Sequence, residues 1–111
     1  MTLLYLNSDR IGQGDDELGR RLLRSFLEKL AASEVRIDFV ACLNGGVQLT
    51  TQGSEALSSL ETLAGRGARI LSCGTCLGHY ALRARLAIGA VGGMPQTVEL
   101  LASADRVISP C

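Results

Sequence analysis

A chain of 111 residues, 47% apolar and without Trp, has room for one domain with an aliphatic core. Its eleven basic and eleven acidic side chains cancel, which argues against both the positive field that holds nucleic acid and the polybasic segment that holds an anionic membrane. No stretch approaches the roughly 20 apolar residues of a spanning helix, and Met1-Thr2-Leu3-Leu4-Tyr5-Leu6 has no basic lead-in to a signal segment. The expectation is a cytoplasmic protein whose four cysteines are kept reduced.

Strand and helix patterns alternate along the chain, which predicts an α/β sandwich on a mainly parallel sheet. Residues 3 to 8 are the first apolar run, and Asp9 to Gly14 form a loop. Asp15, Asp16 and Glu17 then open a helix whose positive end they complement, with Leu18, Leu22, Phe26 and Leu30 as its apolar stripe and Leu23 and Leu27 beside them. Residues 36 to 43 read as a second strand, apolar enough to be covered on both faces, and Asn44-Gly45-Gly46 ends it in a turn. A loop through Thr50 and Thr51 leads to a helix from Ser54 to Ala64, stopped by Gly65 and Gly67. Residues 68 to 73 are the third strand. A helical turn with Leu77, His79 and Tyr80 follows, then a brief strand near Leu86 to Ile88. Pro95 opens a helix through Val98, Leu100 and Leu101, and Val107 and Ile108 make the last strand. In a parallel sheet the loops at the carboxyl ends of the strands face ligands. Ser8 to Gly14, Asn44 to Gly46 and Cys73 to Cys76 are therefore expected to share one edge.

An apolar excess in so small a body implies surface covered by a partner chain, so a homo-oligomer is expected. The chemistry points to Cys73-Gly74-Thr75-Cys76. Cysteine reacts as thiolate, and a free thiol near pKa 8.5 is only slightly ionised at neutral pH. The first-turn amides of a helix opening at a strand end would supply the missing stabilisation. Redox or sulfur chemistry, metal binding and inert thiols all remain open at this point. Thioredoxin-type exchange is disfavoured, because no Trp precedes the motif and no Pro lies inside it. Cys73, Cys76 and His79 offer zinc three ligands but no evident fourth; neither metal nor cofactor is expected. Gly12-Gln13-Gly14 lacks the third glycine of a nucleotide loop, and carboxylates follow it. Cys42 reads as a small buried hydrophobe and Cys111 as a terminal residue.

Several segments together resemble one family. Leu6-Asn7-Ser8-Asp9, Gly12 to Gly19, Leu43-Asn44-Gly45-Gly46-Val47-Gln48-Leu49, Gly53-Ser54 and above all Cys73-Gly74-Thr75-Cys76-Leu77 are similar, in order and spacing, to YedF-type proteins of the DsrE/DsrF-like sulfurtransferase superfamily. The resemblance runs from about residue 3 to 109 and implies one DsrE-like domain over residues 1–111. It implies a three-layer α/β/α sandwich with a five-stranded parallel sheet, assembled as a trimer or hexamer. It also implies a persulfide carried on Cys73, with Cys76 matching a second cysteine found in part of the superfamily. Asn44, Gly45, Gly74, Thr75 and His79 are candidate supporting residues. YedF-type proteins are associated with selenium metabolism, and many carry an additional N-terminal TusA-like domain. This chain begins at the first strand of the DsrE-like part, so a separate TusA-like donor or acceptor is the partner the resemblance implies.

Overall fold

A computed structural model describes residues 1–111. Five strands, β1 (Thr2–Leu6), β2 (Phe39–Cys42), β3 (Arg69–Cys73), β4 (Ala90–Gly92) and β5 (Arg106–Ile108), form one sheet in the order β4-β3-β2-β1-β5. Every pairing is parallel. Four α-helices connect them: α1 (Asp16–Ala32), α2 (Leu57–Gly65), α3 (Gly74–His79) and α4 (Met94–Ser103). No helix is long and apolar enough to cross a membrane.

Register explains the core. Leu4, Val40 and Ile70 are aligned neighbours across β1, β2 and β3, as are Leu6, Cys42 and Ser72, so both rows project from one face of the pleat. Leu23, Leu27 and Leu30 of α1 and Leu60 and Leu63 of α2 pack on that face in a single cluster. Leu3 and Ala41 point the other way and are buried outside that cluster. The chain recrosses this second face through α4, the right-handed route from β4 on one edge to β5 on the other. The result is the three-layer α/β/α sandwich on a five-stranded parallel sheet that the sequence predicts.

Several local expectations need correction. The buried stripe of α1 is Gly19, Leu23, Leu27 and Leu30, whereas Leu18 and Leu22 are exposed. Asp15 caps the helix by accepting the Leu18 N–H at 2.7 Å, and the preceding loop folds back so that the Ile11 N–H reaches the Gly19 carbonyl at 3.0 Å. The loop therefore lies directly on Gly19, where an added Cβ would meet Arg10 and the Ile11 carbonyl.

The fourth strand lies at Ala90–Gly92 rather than Leu86 to Ile88. Leu86 instead bridges Thr51 antiparallel, and the Ala87 N–H donates to the Thr50 carbonyl at 2.8 Å. Those apolar residues pack on the core from a connecting segment, which a short apolar run alone does not distinguish from a strand. Asn44-Gly45-Gly46 does not simply turn: it opens a 3-10 helix over Asn44–Thr50, and α2 begins only at Leu57.

Candidate functional site

Parallel pairing brings the carboxyl ends of all the strands to one edge, and β3 passes into α3 there without an intervening loop. Cys73 is both the last residue of β3 and the residue that caps α3, with φ −59° and ψ 122°. Cys73 thereby stands at the amino end of the helix, where first-turn amides have no partner within it, though its side chain makes no capping hydrogen bond.

Cys73 is 9% exposed and Cys76 is half-buried. Burial pushes the Cys73 thiol up, but the neighbouring Cys76 thiol, the nearby amides of Cys76 and Thr75 and the charge of Arg83 outweigh it and hold the thiol below the ordinary value. Cys76 moves the other way. Burial and its hydrogen bond to Cys73 raise it, against the opposing pull of the Asn44 N–H, which donates to the Cys76 sulfur at 3.1 Å. The two thiols of the pair thus move in opposite directions, Cys73 down and Cys76 up.

Asn44 is fixed from two sides. Its backbone is left-handed, φ 50°, a conformation Asn tolerates better than most residues. Its side-chain oxygen accepts the Tyr80 hydroxyl at 2.6 Å. His79 meets Tyr80 edge to face, with ring centroids 5.2 Å apart, and makes no hydrogen bond to either sulfur. Gly45 lies against the β1–α1 loop beside Asp9 rather than against the thiols. Behind the motif, Thr50 and Ser72 are fully buried and share a 2.7 Å hydrogen bond that ties the 3-10 helix to β3. Cys73, Cys76 and His79 are not brought together as a group of three metal ligands.

The other two cysteines reach the same edge. Cys42 ends β2, and its burial lifts the thiol to about 12, with Cys111 a lesser contributor. The Cys111 thiol lies 3.8 Å from the Ser8 carbonyl, so the chain end is packed rather than loose.

Sequence reading missed Arg83. The signal was the pair Gly74 and Gly78, four residues apart on one helix, which leaves a bare strip for an overlying side chain. It also passed over Tyr80 as a partner of Asn44, since a loop and a helix 36 residues apart meet only through the sheet.

No protein-family model matches the sequence, and no curated protein matches it. Among solved structures, the chain is similar to the ychN protein from E. coli, with 17% identity over 97% of each chain and a TM-score of 0.66. It is also similar to MTH1491 from Methanobacterium thermoautotrophicum, a protein of unknown function, with 24% identity over 98% of this chain and 97% of that one and a TM-score of 0.68. The likeness spans essentially the whole of both and establishes a shared architecture, an α/β fold on a parallel sheet.

Proposed function

We propose that this chain is a sulfur carrier of the sulfurtransferase type, in which Cys73 accepts sulfane sulfur as a persulfide and passes it to a partner thiol. The observation that carries this reading is the placement of Cys73 at the β3–α3 junction, where Cys76, the Thr75 amide and Arg83 favour its thiolate over burial. A thiolate is the nucleophile that sulfur transfer requires, and the same donors would stabilise the terminal anion of a persulfide. Cys76, protonated and adjacent, is suited to resolve the product by forming a disulfide once sulfur has moved on. The YedF-type resemblance of the quoted segments supports the same assignment, with sulfur or selenium as cargo and a TusA-like protein as donor or acceptor.

The active unit is an oligomer in this proposal. Met94, Val98 and Leu101 stand 54%, 60% and 39% exposed at helical spacing on α4, an apolar stripe that a second copy would cover. The stripe begins two residues after Gly92, the register partner of Cys73, so a partner copy would approach the thiol edge.

Incubation with a sulfane-sulfur donor followed by intact-mass measurement tests the carrier reading. One added sulfur atom, removed by reductant and lost in Cys73→Ser, is the expected result. Stoichiometric zinc in protein purified without added metal would favour a metal-binding module instead.

A further inference from the structure

Arg83 holds an uncommitted cation against Gly74, the residue that follows the proposed carrier thiol. Its guanidinium lies along the bare strip of α3: a Cβ added at Gly74 would stand 3.0 Å from Nη2, and one at Gly78 would stand 3.6 Å from Nε. The two glycines are therefore the seat that lets the planar fork rest against the helix beside Cys73. No carboxylate pairs with it and it donates no hydrogen bond within the chain. Arg66, by contrast, donates to the carbonyls of Ala31, Ser33 and Val35, and Arg24 pairs with Glu28 and Glu55. No Asp or Glu occurs from Thr62 through Val98, the stretch that carries Cys73, Cys76 and Arg83.

We infer that Arg83 is the anion-binding group of this site and that the donor it selects is a small sulfane-sulfur oxyanion of the thiosulfate class. The inference rests on the carrier reading for its donor and on geometry alone for its anion site. A guanidinium fork matches two oxygens of a sulfonate group, whereas a persulfide terminus presents one sulfur. A dianion approaching a thiolate is repelled unless a cation offsets the charge. In the step itself the Cys73 thiolate attacks the outer sulfur of thiosulfate, the sulfur–sulfur bond breaks, and sulfite departs with the electron pair. Cys73 is left as the persulfide anion. Charge balances and no external oxidant or reductant is consumed. Arg83 faces the oxygens on which the leaving group's charge gathers.

Iodoacetate and iodoacetamide deliver similar alkyl groups with and without a carboxylate, so the ratio of their rates at Cys73 reports anion recruitment independently of thiolate fraction. In the full chain this ratio, referred to that of a free thiol such as glutathione, is expected to be raised. It should fall about tenfold in Arg83→Gln and less in Arg83→Lys, which keeps charge but not the fork. Sulfur loading from thiosulfate should fall by a similar factor in Arg83→Gln, while loading from a neutral dialkyl trisulfide should fall no further than the iodoacetamide rate. An unchanged alkylation ratio overturns the role of Arg83 even if thiosulfate still loads Cys73. A ratio that depends on Arg83, with no sulfur loaded from any donor, upholds the anion site and overturns the thiosulfate assignment along with the carrier reading.

Discussion

The backbone N–H of Asn44 points at the Cys76 sulfur from 3.1 Å, across a gap of 32 residues in sequence. That contact holds the Cys76 sulfur at the β3–α3 junction and pulls its thiol down, against the burial and the neighbouring Cys73 that raise it. Removing the Cys76 thiol should be felt at Cys73. In Cys76→Ala the pH at which Cys73 becomes half-alkylatable should rise, and its rate at pH 7 should fall severalfold. Cys76→Ser retains a hydroxyl donor and should fall less. Alkylation rate against pH, with the site identified by peptide mass, measures this directly.

Gly46 approaches β1 so closely that an added Cβ would collide with the carbonyl oxygen of Leu6. Both sides of the contact are backbone and cannot swing away. Gly46→Ala should therefore destabilise the fold by about 1–3 kcal/mol, as overpacking does, and should displace the segment that carries Asn44. Urea denaturation gives the first quantity; a shift in Cys76 reactivity gives the second.

The α/β sandwich on a parallel sheet was legible from the alternation of apolar runs with capped helical stripes, because period and punctuation are local properties. The carboxyl-edge rule likewise brought the Asn44 and Cys73 segments together. What escaped was whatever depends on where one segment meets another. Leu86 to Ile88 look like a strand until Thr51 and Thr50 claim the backbone of Leu86 and Ala87. Leu18 and Leu22 look buried until the loop at Ile11 packs on Gly19 and the core-facing stripe of α1 proves to be Gly19, Leu23, Leu27 and Leu30. Arg83 looks like an ordinary surface cation until the bare side of α3 lies beneath it.

Asp38 holds the start of β1 by accepting the Thr2 N–H at 2.7 Å, and that hydrogen bond, with help from Arg36, holds its carboxyl below the ordinary range. A depressed carboxyl binds its proton less readily folded than unfolded. Its stabilisation is complete above the unfolded value of about 3.9 and drains away as pH falls through the lower folded one. Asp38→Asn keeps an acceptor but has nothing to titrate. Its stability should accordingly fall less steeply than that of the wild type as pH drops below about 4, as read from denaturation midpoints across an acid series.

Val98 is the most exposed large apolar side chain of the α4 stripe, at 60%. A charge there should be tolerated by the folded chain and resisted by an interface. Val98→Glu should leave the thermal midpoint of the monomer nearly unchanged and shift the sedimentation profile from oligomer to monomer. A wild-type chain that sediments as a monomer at all accessible concentrations would contradict the second-copy assignment.

The identity of the loaded sulfur is the most direct measure of the central claim. After brief exposure to a sulfane-sulfur donor, persulfides can be trapped by alkylation and located by peptide mass spectrometry on each of Cys42, Cys73, Cys76 and Cys111. The account predicts the added sulfur on Cys73, absent in Cys73→Ser and still present in Cys76→Ser. Sulfur found only on Cys76 or Cys111, or on none of the four, would contradict it.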